Sequence, residues 1–239
     1  MKTYKIMGIF AHPDDETFGP GGTLALYAAQ GHETFVFTAT QGQAGQAASL
    51  PIKTTIGNCR VVELQKATKI LGVKKLVNSE FFDGTLNESQ TPLLKKVIAE
   101  ETEKINPDII LIFEPGGISQ HLDHIAVTKS VIQLYDEKRI HPKKIYYYGL
   151  PQELMNYLGR TGGIDEKKGA KINISSVWKT KVQAMKAHRT QKADSARILE
   201  RFAAIKKSRN DAWQYECFEL ARTSLRNVAL PETDLLNGL

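Results

Sequence analysis

The chain has 239 residues, 41% hydrophobic and 24% charged, a balance ordinary for a globular protein and long enough for one large α/β domain spanning residues 1–239. No apolar run approaches the roughly 18 residues of a membrane span. The opening "MKTYKIMGIF" has too short an apolar core for a signal peptide. The formal net charge of +6 comes largely from lysines and arginines set among Ala, Leu, Ile and Met at helical spacing, which reads as solvated helix faces and not as a nucleic-acid module.

In chain order, Lys5–Phe10 is a short apolar run suited to a buried strand, and a polar cluster, "AHPDDE", ends it. Gly21–Gln30 reads as a helix stopped by Gly31. Glu33–Thr40 is β-branched and aromatic, a strand, and "QGQAGQAASLP" is a loop. A helix is predicted over Thr55–Leu71, closed by Gly72, then a strand over Lys75–Phe82 and a loop, "DGTLNESQ". Leu93, Leu94, Val97 and Ile98 mark the apolar face of a helix over Thr91–Ile105. Asp108–Phe113, "DIILIF", is nearly all apolar, the mark of a strand covered on both faces. "EPGGISQHLDH" reads as a loop, Ile125–Tyr135 as a helix and Lys144–Tyr148 as a strand. Beyond Pro151 come a loop, a short strand at Ile172, helices across Lys179–Ser208 and a late strand over Glu216–Thr223. Strands alternating with helices imply parallel βαβ units, hence a Rossmann-like α/β fold: an open, mostly parallel sheet with helices on both faces. Cys59 and Cys217 have neither a partner motif nor a metal spacing, as expected of two free thiols in a reducing cytoplasm.

Loops at the carboxyl ends of such strands carry function, and two of them are rich in metal-ligand side chains. His12 and Asp15 lie three apart after the first strand, as do His121 and His124 after "DIILIF". In a turn or helix start that spacing places both side chains on one side of the backbone. Two nitrogens and a carboxylate, with a fourth position left to water, make the ligand set of a catalytic zinc. Asp14 and Asp123 then remain beside the metal, one to take a proton from water and the other to hold an imidazole in its working tautomer. Singly, "HPDD" fits an ordinary turn and "HLDH" a capped helix start; their joint placement after two apolar strands favours a site. The glycines of "GPGG" suit either a phosphate cradle at a helix start or a tight turn; without G-x-G-x-x-G or a P-loop, the turn is favoured. Glu16 is expected to be structural, and His32 and His141 to lie on the surface.

"AHPDDE" followed by "HLDH" resembles the LmbE/PIG-L family of zinc-dependent N-deacetylases. "TQGQAG", "RVVELQKATKILGV" and "KVQAMKAHRTQ" are similar to that family's T-x-G-E-x-G loop, R-x-x-E helix and H-x-S-Q segment. The resemblance implies hydrolysis of an acetamido group, usually on an N-acetylglucosamine conjugate, with Zn2+ held by His12, Asp15 and His124. It further implies Asp14 as general base, a protonated His121 stabilising the oxyanion with Asp123 orienting it, either His121 or Asp14 giving the leaving amine its proton, and Arg60 and His188 toward the substrate. Assembly into a homo-oligomer is a further implication. Leu122 replaces the usual proline, Gln43 a glutamate and Thr190 a serine, and none of these is a proposed ligand. A metal-dependent amidase or esterase on a non-sugar substrate and a non-catalytic sugar-binding relative are the competing readings. The group attached to the sugar is expected to be chosen by residues 43–53 and 150–169.

Overall fold

A computed structural model describes residues 2–45, 55–86, 90–157, 161–207 and 212–239. Its strands are β1 (Lys5–Phe10), β2 (Glu33–Thr40), β3 (Lys75–Phe81), β4 (Ile109–Phe113), β5 (Lys144–Tyr148), β6 (Gly169–Asn173) and β7 (Tyr215–Thr223). They form one sheet in the order β3-β2-β1-β4-β5-β7-β6. Neighbours from β3 through β5 are parallel, while β7 pairs antiparallel with both β5 and β6. The fold is thus the open, mostly parallel Rossmann-like α/β sheet expected.

Side chains alternate across a strand, and both faces here are apolar. Met7, Ile9, Ile110 and Ile112 pack into one core cluster, Ile6, Phe10, Ile109, Leu111 and Phe113 into the other. All five residues of β4 are buried, as a doubly covered strand requires. Gly8 is needed in β1 because a Cβ there would stand 2.4 Å from the Phe10 ring.

The helices are α1 (Asp15–Phe18), α2 (Gly21–Ala29), α3 (Ile56–Ile70), α4 (Thr91–Ile105), α5 (Gly117–Gln120), α6 (Leu122–Asp136), α7 (Gln152–Tyr157), α8 (Trp178–Ala187) and α9 (Lys192–Lys207). The short α1, α5 and α7 escape sequence reading because a single turn has no periodicity to detect. Helix α6 starts three residues earlier than expected, so "HLDH" is a helix start and not a loop. The expected loop after β2 continues into residues 46–54, residues 87–89 fall in the loop after β3, and residue 208 closes the last predicted helix; all lie outside the described residues.

Helix α2 shows what "GPGG" does. Its first backbone N–H groups would be unsatisfied, and those of Gly22 and Thr23 donate to the Glu216 carboxylate at 2.8 and 2.7 Å. Glu216 is itself paired with buried Lys181. The anion position at this helix start is filled from within, which leaves the turn reading.

At the opposite end of the sheet a second buried pair ties down the C-terminal segment. Lys144 Nζ meets Glu232 Oε1 at 2.6 Å and donates to the carbonyls of Leu235 and Asn237. Tyr146 Oη donates to the same carboxylate. No helix among the described residues is long and apolar enough to cross a membrane.

Candidate active site

Strand order reverses between β1 and β4, the topological switch point where open α/β sheets place their clefts. The loop leaving β1 is folded by one side chain. Asp15 Oδ2 accepts the backbone N–H groups of Ala11 (3.2 Å) and His12 (2.8 Å). This local ring puts His12 and Asp15 on one side, as their spacing predicts. Asp14 between them is driven to φ 104°, a region L residues rarely occupy.

Two contacts hold Asp14 there. Its N–H donates to Glu16 Oε2 at 2.9 Å, and Arg60 reaches its Oδ2 at 3.0 Å. The same guanidinium binds the carbonyls of Pro13 and Gly42. Arg60 is therefore buried against the loop, with its charge beside Asp14. His188, expected near the substrate, lies deeper. It is fully buried, with Nε2 on Glu16 Oε1 at 2.6 Å, and touches no solvent through which a substrate would arrive. Glu63 accepts from both the N–H and hydroxyl of Thr190. The R-x-x-E helix and the H-x-T-Q segment thus interlock beneath the β1 loop.

The second loop leaves β4 and enters α6. His121 caps that helix, its Nδ1 accepting the N–H of Asp123 at 3.2 Å. In a neutral ring, an accepting Nδ1 places the hydrogen on Nε2. Burial and the charges of His12 and His124 lower the His121 pKa. His124 lies in the first turn of α6, and its Nδ1 meets the Gly117 carbonyl at 3.0 Å. That bond aims Nε2 at the β1 loop.

The two loops meet there. His124 Nε2 stands 3.0 Å from His12 Nδ1 and 3.2 Å from Asp15 Oδ1, and His12 Nδ1 is 3.7 Å from Asp15 Oδ2. Donors bound at about 2.0–2.1 Å on tetrahedral corners sit about 3.3 Å apart. The donor set fits zinc in type and in spacing. His12, His121 and His124 also converge within reach of one ion, as do His12, Asp83 and Asp123. His121 would offer Nε2, its Nδ1 being used by the cap, and the Asp83 and Asp123 carboxylates, like that of Asp15, accept backbone N–H groups.

Behind the cluster, His12 Nε2 faces Asp83 Oδ1 at 2.9 Å and Asp123 Oδ2 at 3.1 Å. Asp123 is fixed in turn by the N–H groups of Gly84 and Leu86, at 2.7 and 3.0 Å. Its carboxylate therefore orients His12, not His121 as expected. A carboxylate behind a ligating imidazole fixes its tautomer and strengthens it as a donor. Sequence reading passed over Asp83, which follows a strand of mixed polarity, KLVNSEF, with no histidine beside it. Gln43 supports it, Oε1 accepting the Asp83 N–H at 3.2 Å.

The charged groups of the cluster stabilise one another. Burial opposes the charge on Asp15, yet His124 and His12 hold its carboxyl well below the usual range; Asp83 and Asp123 are also lowered against burial, chiefly by His12. Burial opposes charge on His12 as well, but Asp123, Asp83 and Asp15 outweigh it and raise the pKa to about 10. Asp14 differs. Burial pushes it up to about 7, with Arg60 opposing.

Comparison with known proteins gives a family and a set of relatives. The chain is 26% identical over 284 residues to the 1D-myo-inositol 2-acetamido-2-deoxy-α-D-glucopyranoside deacetylase of Mycolicibacterium vanbaalenii, covering 100% of this chain and 99% of that protein. It is 29% identical over 194 residues to the probable N-acetyl-α-D-glucosaminyl L-malate deacetylase 2 of Bacillus cereus, covering 78% and 83%. Among solved structures, the 4-carboxy-2-hydroxymuconate hydratase GalB of Pseudomonas putida KT2440 shares the fold at TM-score 0.70 and 18% identity, over 95% of this chain and 100% of that one. A fold that also hosts a hydratase does not by itself select the chemistry. The sequence does more: residues 7–135, which carry both histidine-bearing loops, match the family model described as GlcNAc-PI de-N-acetylase, so the chain belongs to the PIG-L family.

Proposed function

We propose that this chain is a zinc-dependent N-deacetylase acting on N-acetylglucosamine conjugates. The observation that carries the reading is the convergence of His12 Nδ1, Asp15 Oδ1 and His124 Nε2 from two strand-end loops. The inositol and malate relatives differ in the group attached, and their names share an acetamido-glucose unit. That shared unit supports the substrate class. The seven strands lie in one sheet, which supports a single domain.

His12, Asp15 and His124 would hold the metal. Zinc bound to such a set supplies a Lewis acid that brings the pKa of a water to about 7 and polarises an amide carbonyl. Asp14 takes the proton of the attacking water as the new C–O bond forms. The negative charge that develops on the acetyl oxygen is met by the Nε2–H of His121, a donor already oriented by its capping bond. Cleavage of the C–N bond needs a proton on the departing amine, and Asp14, having just taken one, is placed to return it. Asp83 and Asp123 hold His12 in register throughout.

Metal removal tests the reading. Exhaustive chelation is expected to abolish acetate release from an N-acetylglucosaminyl conjugate, and added zinc to restore it. His124→Ala is expected to lose bound zinc and turnover together. A chelated protein that works as fast as the loaded one would overturn the metal-dependent mechanism.

A further inference from the structure

Residues 114–120 join β4 to the histidine-bearing helix, and the backbone there is unusual. Gly117 has φ 68°, Ile118 φ 59° and Gln120 φ 61°. Glycine tolerates this region; a β-branched residue such as Ile118 is a clear outlier in it. Something must hold the segment in place.

The Glu114 side chain does so. It sits at the carboxyl end of β4, is 3% exposed, and spends both oxygens on this segment. Oε2 accepts the N–H of Gly116 at 2.5 Å, and Oε1 the N–H of Ile118 at 2.7 Å. Its backbone carbonyl accepts the N–H of Gly117 at 2.8 Å, and its own N–H is anchored on the Tyr148 carbonyl of β5. Chain passes close on the far side: Cβ atoms at Gly149 and Gly162 would stand 3.1 and 3.2 Å from the Glu114 side chain. The result of this clamp is the direction of one carbonyl, that of Gly117, onto His124 Nδ1.

We infer that Glu114 is a positioning residue for the metal ligand His124, acting through the Gly117 carbonyl that selects its tautomer and aims its Nε2. This rests on the reading of His124 as a ligand. A buried carboxylate whose partners are backbone N–H groups carries a desolvation cost that those hydrogen bonds offset. Here the geometry imposed is a strained turn whose one carbonyl faces a histidine of the site. Ligands of this outer kind change metal affinity by about 10–100-fold when removed.

The test uses the full chain and zinc itself. Glu114→Gln keeps the shape but turns an amide NH2 toward one of two N–H donors. It is expected to weaken zinc binding, measured by competition with a chelator, by about 10–100-fold. The visible spectrum of the cobalt-substituted protein should change with it, and a role confined to fold stability would leave that spectrum alone. Adding Ile118→Gly to Glu114→Gln should recover most of the affinity, because glycine adopts the positive φ without the clamp. Should Glu114→Gln fail to fold, Glu114→Asp carries the same expectation with a smaller loss. Wild-type zinc affinity and an unchanged cobalt spectrum in the folded variant would overturn the inference while leaving His124 as a ligand. His124→Ala binding zinc as tightly as wild type would instead overturn the ligand reading, and the inference with it.

Discussion

Asp14→Asn is expected to leave zinc bound and to slow turnover by ~10²–10⁴-fold, the usual worth of a positioned general base. On the transition-state scale this is about 3–5 kcal/mol. Asparagine is the informative replacement for three reasons. It tolerates the positive φ that Asp14 adopts. Its side-chain oxygen can still accept from Arg60, which now binds the carboxylate at 3.0 Å. It leaves the backbone N–H on Glu16, so the loop that carries His12 and Asp15 keeps its shape. What it removes is the ability to take a proton. Full deacetylation by a zinc-loaded Asp14→Asn protein would show that Asp14 is not the base.

Glu232→Ala is expected to cost about 3–5 kcal/mol of stability, since it strands one member of a buried ion pair. Lys144 has no exposed surface and would be left with the carbonyls of Leu235 and Asn237 alone, while Tyr146 would lose its acceptor. At about 2–4 °C per kcal/mol for a chain of this size, the melting temperature should fall by roughly 6–20 °C. Lys144 opens β5, at the end of the sheet away from the histidine-bearing loops, so turnover of the folded variant should match wild type. Replacing both partners, Lys144→Met with Glu232→Leu, should cost less than either single change, because no charge is left unpaired. A melting curve of Glu232→Ala that overlays the wild type would contradict the structural role assigned to the pair.

The sequence carried most of the sheet and both site loops. "DIILIF" was readable as a doubly covered strand because every residue in it is apolar, and the spacing of His12 with Asp15 and of His121 with His124 gave the sides they share. Spacing within one loop does not say which ring nitrogen meets which partner in another. That is why Asp123 was expected on His121 and is found on His12. Nor does it report burial: His188 lies in a motif-bearing segment, yet the packing of α8 against α1 seals it inside with Glu16. Asp83 and Glu232 were missed because each meets side chains brought near only by the fold, and Glu114 because its local contacts carry no sequence pattern. A carboxylate beside a loop glycine looks the same in sequence whether it is solvated or clamped.

Hydrolysis of an acetamido bond at a site built by His12, Asp15 and His124 is the proposed chemistry. Its most direct measurement is acetate and free amine released together from a panel of N-acetylglucosaminyl conjugates by the zinc-loaded protein, with an O-acetyl ester as control. Equal amounts of acetate and amine from at least one conjugate, lost in His124→Ala, is the expected result. Turnover of the ester alone, or the same amine release from His124→Ala, would contradict it.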